Sequence, residues 1–174
     1  EEILNLVRDQ LSSRYFFIFP KDNIFIYPRL SIEKKIIDEY PEIESADVSF
    51  SSFQGIKIIV SERLPKYFWC SEGLGVASST CYLVTEGGLI FKEAGDNFYP
   101  DFISFSGGVF NDPVKSFVLP TNEFEKTTRF LDKLNSEGLI VKDVFIKEGG
   151  VREGLFSFGG RIIWNSDQDL SLVF

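Results

Sequence analysis

Residues 43–69 read IESADVSFSSFQGIKIIVSERLPKYFW, and this stretch decides the fold. Apolar and polar residues alternate up to Phe50 and again in IKIIVSE, which is the period of two of a β-strand. The intervening SSFQG contains a glycine that suits a hairpin loop. Pro65 interrupts the pattern, and the aromatic run that ends at Trp69 begins a further strand. The stretch therefore predicts a hairpin, a joint and a second region of sheet.

Two helices are predicted before the hairpin. In residues 1–11 (EEILNLVRDQL) apolar side chains recur at helical spacing, and two leading glutamates suit a helix N-terminus. Residues 30–40 (LSIEKKIIDEY) predict a second helix, with Ser31 as N-cap and Pro41 beyond its end. Between them, residues 14–28 (RYFFIFPKDNIFIYP) are too aromatic and too interrupted by proline for a helix, so we expect an irregular or extended link.

After Pro65 the pattern is almost entirely that of strands. The glycine pairs at 87–88, 149–150 and 159–160 separate strand-like runs, which predicts an antiparallel meander. The predicted strands are KYFW, CYLVTE, LIFKE, DFISFS, KSFVL, LIVKDVFIKE, VREGLFSF and RIIWN.

One helix interrupts this region. Thr121 or Asn122 is expected to cap it, and Gly138 to end it. The terminal SDQDLSLVF has the pattern of a further capped helix start. The buried stripe of the interrupting helix is predicted to be Phe124, Thr127, Leu131 and Leu134.

Composition argues against several classes of function. The chain of 174 residues has a net charge of −8, which repels phosphate backbones and disfavours nucleic acid as a partner. It has no histidine, which removes the commonest general base and the commonest metal ligand. The acidic pairs Glu123/Glu125 and Asp167/Asp169 match solvated surface better than an acid/base pair. We expect no enzyme, no metal and no cofactor.

The two cysteines leave two interpretations open. The loop between Cys70 and Cys81, SEGLGVASST, is small, polar and glycine-rich, so its ends can meet. A disulfide there would stabilise the fold by about 3 kcal/mol. Two reduced core cysteines fit the spacing equally well. A zinc knuckle is excluded, because its two cysteines lie much closer in sequence and other ligands are missing.

The chain resembles the FtsQ/DivIB family of bacterial cell-division proteins. The hairpin closes on Glu62-Arg63-Leu64-Pro65, and Trp69 follows in an aromatic strand, as in that family. The next hairpin, CYLVTEGGLIFKE, is similar too: Gly88 fits, as does the phenylalanine three residues later, while a threonine stands where an aspartate is common. The resemblance covers nearly the whole chain.

The resemblance implies an α+β chain of two domains. Residues 1–63 would be a POTRA-like domain with two helices and an antiparallel hairpin, truncated so that its usual first strand is missing. Residues 64–174 would be a mostly antiparallel β domain with one helix, truncated at its C-terminus. The motif Glu62, Arg63, Pro65 and Trp69 would mark the domain joint, and a recognition patch is the less favoured alternative. Pro65 fixes the backbone there, and Arg63 can bridge carboxylates or carbonyls.

The resemblance also implies a function. Family members are non-catalytic scaffolds of the divisome, held in the inner (plasma) membrane by one transmembrane helix, which here would precede residue 1. Their extracytoplasmic part binds small coiled-coil membrane proteins of the FtsB and FtsL types and helps to control septal cell-wall synthesis. This location favours oxidation of Cys70 and Cys81 to a disulfide. The alternative is a POTRA-bearing module of outer-membrane assembly or protein secretion.

The stretch Arg161-Ile162-Ile163-Trp164 is the candidate for partner binding. It is either an exposed strand that accepts a partner strand or an interior strand beside a missing C-terminal one. The family's main partner-binding strand would lie beyond Phe174.

Overall fold

The structure, a computed structural model, describes residues 2–12, 14–15, 19–20, 28–52, 55–71, 80–95, 99, 101–108 and 112–166. The chain divides into two compact units, Glu1–Arg63 and Leu64–Phe174. The fold class is α+β, with three helices and a mostly antiparallel sheet in the described part of the chain.

The first unit packs two helices on one face of a hairpin. Helix α1 (Glu2–Ser12) is followed by the short strands β1 (Arg14–Tyr15) and β2 (Phe19–Pro20), then by helix α2 (Arg29–Glu39). Strand β3 (Ile43–Ser52) pairs antiparallel with β4 (Gly55–Glu62). Both helices and the hairpin are as predicted, whereas β1 and β2 pair within the segment expected to be a link. The buried core consists of Val7, Ile32, Ile36, Ile43 and Val48.

Helix α2 begins at Arg29, and its N-cap lies three positions before the predicted Ser31. Ser31 lies inside the helix, and the N-cap residue is Pro28, whose carbonyl accepts a hydrogen bond from the Ile32 N–H at 3.0 Å. A proline is tolerated there because an N–H at a helix start has no intrahelical partner. The guanidinium of Arg29 binds Glu33 at 2.7 Å and Asp47 at 2.8 Å, which stabilises the first turn of the helix. The apolar spacing used to predict the helix does not show these contacts.

The second unit is built on a seven-stranded mixed sheet in the order β11-β10-β9-β8-β5-β6-β7. Its strands are β5 (Tyr67–Cys70), β6 (Cys81–Val84), β7 (Ile90–Glu93), β8 (Ile103–Ser106), β9 (Val141–Ile146), β10 (Val151–Phe156) and β11 (Arg161–Asn165). A 3-10 turn, Glu148–Gly150, joins β9 to β10.

The predicted antiparallel meander holds only within two groups of three strands. Strands β5, β6 and β7 form one antiparallel group, and β9, β10 and β11 form the other. Strand β8 joins the groups by pairing parallel to both β5 and β9. Parallel pairing requires a long crossover. Helix α3 (Thr121–Ser136) lies in the crossover from β8 to β9.

The prediction of a strand in KSFVL is wrong. Within residues 115–119 the structure shows only an isolated bridge between Phe117 and Leu89. Lys115 has φ +71°, a left-handed conformation that takes the chain out of the extended form. The segment instead covers the outer edge of β7, where Ile90 N–H donates to Ser116 O at 2.9 Å and Lys115 N–H donates to Ile90 O at 2.8 Å.

Helix α3 covers one face of the sheet. Its predicted stripe is buried, and Phe130 joins it. Phe124 packs edge-on against Tyr67 and at a tilt against Phe105, with ring centroids 5.5 and 5.2 Å apart. These aromatic contacts lie at the centre of the core of the second unit.

The predicted end of α3 is confirmed, but its predicted cap is wrong. The helix stops before Gly138, which has φ +82°. It begins directly after Pro120, so neither Thr121 nor Asn122 is the N-cap residue. Asn122 Oδ1 instead accepts a hydrogen bond from the Glu123 N–H at 2.9 Å. The further helix predicted near the C-terminus lies, beyond residue 166, outside the described residues.

Substitution of Gly88 tests the contact between the β6–β7 turn and α3. Gly88 has φ +84°, and a Cβ there would lie 2.8 Å from Phe124 Cγ; Gly159 has the same φ, with nothing within 4 Å. Gly159→Ala should cost about 1–2 kcal/mol for the backbone alone, and Gly88→Ala about 1–3 kcal/mol more for overpacking.

Urea unfolding followed by tryptophan fluorescence measures this difference, because both tryptophans, Trp69 and Trp164, lie in the second unit. Equal losses for the two variants would show that the turn does not constrain Phe124.

Candidate functional site

The two edges of the seven-stranded sheet differ. The β7 edge is covered by residues 115–117, as described above. Strand β11 pairs only with β10, and no described segment runs along its other side. An unpaired edge presents a row of backbone N–H and C=O groups that another strand can bind. The β11 edge is therefore the candidate docking site.

Hydrogen bonds at both ends of the β10–β11 ladder show which residues face this edge. Ser166 N–H donates to Gly150 O at 2.9 Å, and Phe156 N–H donates to Gly160 O at 3.2 Å. In an antiparallel pair the hydrogen-bonded positions alternate with positions whose backbone groups point away. Both hydrogen bonds place the same set of residues in the bonded positions: the even-numbered residues of β11 bond to β10.

Ile162 and Trp164 therefore point their backbone groups toward β10, opposite Gly154 and Arg152 in the register. Arg161 N–H and Ile163 N–H point away from β10, toward the open edge. Within the described residues, the stretch singled out in the sequence lies on the last strand of the sheet, and alternate residues within it direct their backbone groups away from β10.

The inward half of this stretch anchors β11 to the core. Trp164 is 4% exposed, and its ring packs against Phe130 of α3 with centroids 5.2 Å apart. Gly154 makes room for that ring, because a Cβ at this position would lie 3.2 Å from Trp164 Cζ3. Because Gly154 of β10 has no side chain, the Trp164 ring can pack over it and hold β11 against the core.

The outward half of the stretch displays one cation and one apolar side chain. Arg161 is 68% exposed and Ile163 is 57% exposed. Both lie on the sheet face opposite α3, since residues two apart on a strand share a face. A partner strand at this edge would meet both side chains.

A charged cluster lies beside them on β10. Glu153 is opposite Ile163 in the register, and its side chain is 11% exposed. Lys147 Nζ contacts one carboxylate oxygen, and Arg161 Nη1 lies 3.4 Å from the other. The hydrogen bond from Lys147 is the main reason that the pKa of Glu153 is lowered, against the opposing effect of burial.

The preceding residue, Arg152, points to the other face and into the core. It is 3% exposed, and its Nη2 donates to Glu123 Oε2 at 2.8 Å. Burial lowers the pKa of Arg152, and Glu123 opposes that shift. In the part of the chain that the structure describes, Arg152 Nε has no hydrogen-bond partner. The ion pair joins the first turn of α3 to β10.

The acidic pairs considered in the sequence do not form an acid/base site in the described residues. Glu123 bonds Arg152, whereas Glu125 bonds Arg129 at 3.0 Å one turn further along α3. Asp167 and Asp169 lie outside the described residues. Nor do the described side chains include three or more of His, Cys, Asp and Glu grouped to hold a metal ion.

The four residues of the joint motif have separate structural tasks. Glu62 is exposed at the end of β4, and Arg63 Nε donates to Pro41 O at 2.9 Å inside the first unit. Pro65 precedes β5. Trp69 is buried in the core of the second unit, where its indole N–H donates to Gly107 O at 3.1 Å.

The cysteines are joined. Cys70 and Cys81 form a disulfide between opposite positions of β5 and β6, with Cα atoms 4.1 Å apart. Cys70 is fully buried beside Phe68 and Leu83. The loop that the disulfide closes lies, at residues 72–79, outside the described residues.

Sequence reasoning missed Glu153, Lys147 and Arg152. The signal was present in VREGLF, where two opposite charges stand side by side in an otherwise apolar strand. Adjacent strand residues point to opposite faces, so each of these charges must find a partner on its own face.

No protein-family model matches the sequence, and no curated protein sequence matches it. None of the described helices is long and apolar enough to cross a membrane.

Removal of the Glu123 carboxylate should destabilise the second unit. Glu123→Gln leaves the buried guanidinium of Arg152 without its anionic partner, at a cost of about 1–3 kcal/mol. Glu125→Gln, on the exposed side of the same helix, should cost less than about 0.5 kcal/mol. Urea unfolding followed by tryptophan fluorescence compares the two; similar small losses would contradict an anchoring role for the Glu123–Arg152 pair.

The Glu153 cluster should make stability depend on pH. Because the folded-state pKa of Glu153 is lowered, its contribution is fully present above the unfolded-state pKa of about 4.3 and is lost as the pH falls through the folded value. Glu153→Gln should therefore lose less stability than the parent when the pH is lowered from 7 to 3. Urea midpoints across this range provide the measurement, and parallel pH profiles would refute the assignment.

Proposed function

We propose that this chain is the extracytoplasmic part of an FtsQ/DivIB-type cell-division protein and acts as a non-catalytic docking scaffold. It binds membrane partners of the FtsB and FtsL types by accepting a strand at the β11 edge. The observation that carries the proposal is the β11 edge, along which no described segment runs and where the backbone groups of Arg161 and Ile163 point away from the sheet.

Strand addition suits this edge physically. Each new main-chain hydrogen bond contributes about 0.5–1.5 kcal/mol net, and side chains on alternate positions supply specificity. Trp164 and Gly154 hold β11 rigidly on the core, which lowers the entropy that binding must overcome. The opposite edge of the sheet is covered by residues 115–117, so an incoming strand is directed to one side.

The order of elements supports the proposed domain assignment. In the proposal, residues 1–63 are a POTRA-like domain, since two helices precede an antiparallel hairpin. Residues 64–174 are the family's β domain. Glu62-Arg63-Leu64-Pro65 stands at the division between the two compact units.

The Cys70–Cys81 disulfide supports an extracytoplasmic location, because such bonds persist in oxidising compartments. The parent protein would then be a single-pass protein of the inner membrane, with its transmembrane helix upstream of residue 1. A parent reading frame that encodes a cytosolic protein without a membrane anchor would contradict this part of the proposal.

Proline substitution on β11 tests strand addition directly. Ile163→Pro removes an outward N–H while the ladder to β10 keeps its hydrogen bonds, so binding of an FtsB-type ectodomain should weaken by about tenfold or more. Ile163→Val keeps the N–H and should bind like the parent. Binding of the 174-residue chain is measured by titration calorimetry.

Ile162→Pro is the control for the direction of the backbone groups. It removes an N–H that bonds to β10, so it should lower the free energy of unfolding by about 1–3 kcal/mol, more than Ile163→Pro does. Unchanged affinity for Ile163→Pro, with the fold intact by circular dichroism, would overturn docking at this edge.

A further inference from the structure

The side chains along the β11 edge indicate which side chains a bound strand would place opposite them. Strand pairing brings directly opposite side chains on one face to within about 4.5–5.5 Å. On the face away from α3, the last side chains of the sheet are those of Arg161, Ile163 and Asn165, and the two that are mostly exposed are Arg161 and Ile163. Two residues of a bound strand, two positions apart, must therefore face them.

The guanidinium of Arg161 is available to such a strand. Its contact with Glu153 is long, at 3.4 Å, and the side chain remains mostly exposed. Glu153 keeps a second cation, Lys147, on its other carboxylate oxygen. Arg161 can therefore turn toward a new carboxylate without leaving Glu153 unpaired.

The neighbours of Arg161 on its own row do not compete for it. Leu155 is directly opposite Arg161 on β10, and Asp143 is the next residue along the row on β9. The Asp143 carboxylate is engaged by the Ser104 hydroxyl of β8. On the adjacent row, Ile163 lies beside Glu153 and offers only apolar surface to a partner.

We infer that the partner strand places a carboxylate opposite Arg161 and an apolar side chain two residues away, opposite Ile163. Arg161 is then a specificity-determining residue, which favours acidic strands and repels cationic ones. This inference rests on the proposed docking at the β11 edge and adds the chemistry of the partner to it.

Three synthetic peptides test the inference. Each is a capped nine-residue strand of alternating valine and threonine, with Glu, Gln or Lys at one valine position. NMR titration of the 174-residue chain gives their dissociation constants. The Glu peptide should bind about two- to fivefold more tightly than the Gln peptide, the range expected for an exposed charge pair, and the Lys peptide should bind most weakly.

Variants of the chain assign the preference to one residue. Arg161→Gln should remove the preference for Glu over Gln, and Arg161→Glu should reverse it in favour of Lys. Arg129→Gln makes the same change in net charge at an exposed position of α3, so it should leave the preference for Glu over Gln unchanged. Added salt should reduce the preference of the parent, because the pair is exposed to solvent.

The results separate this inference from the docking proposal. If Ile163→Pro weakens all three peptides but Arg161→Gln leaves the preference for Glu unchanged, the inferred partner chemistry is overturned and edge docking stands. Equal binding of the three peptides by the parent likewise overturns the inferred partner chemistry and leaves edge docking standing. Failure of every peptide to bind, or binding that Ile163→Pro does not affect, overturns both.

Discussion

The register of β10 is the constraint on which the second unit depends. Its adjacent residues Arg152 and Glu153 point to opposite faces, and each is largely buried and ion-paired. A slip by one residue would exchange their environments, placing the guanidinium among cations and the carboxylate in the aromatic core. An unpaired buried charge is among the most costly defects a protein can carry. These two residues therefore fix which face of the sheet each residue of β10 occupies, and the residues opposite them on β11 share that face.

Helix α3 connects this constraint to the rest of the core. Glu123 in its first turn binds Arg152, while Phe124 packs on Tyr67 and Phe105 in the centre of the sheet. Further along the helix Phe130 contacts Trp164 of the edge strand. One helix thus touches the central strands and the open edge. A change that shifts α3 is expected to reach β11 through these contacts.

Folded proteins commonly protect sheet edges, because an exposed edge invites unwanted pairing. In the second unit one edge is protected by residues 115–117, which bond β7 without forming a strand. The other edge ends in β11, where exposed Arg161 supplies the charge that discourages nonspecific association. In the proposed function the same charge selects the partner, so protection and recognition use one side chain.

Much of the fold could be predicted from the sequence, because local hydrophobic periodicity and turn residues largely determine helices and hairpins. The hairpin of residues 43–62, helices α1 and α2, and the buried stripe of α3 with its end at Gly138 all follow from patterns within about fifteen residues. The sequence also predicts a strand from Arg161 to Trp164, with an edge position as one of two interpretations. The division of the chain near Pro65 was expected from the same local signals.

Only the tertiary structure decided the rest. The parallel pairing of β8 joins segments far apart in the chain, and no local pattern records it. Lys115 adopts a left-handed conformation that turned a strand-like run into an edge cover. Arg29 lengthens α2 because Asp47 is a neighbour only after folding. The partners of Arg152 and Glu153, and the direction of each N–H on β11, likewise exist only once strands have paired, since burial and hydrogen-bond direction belong to the pairing and not to any single segment.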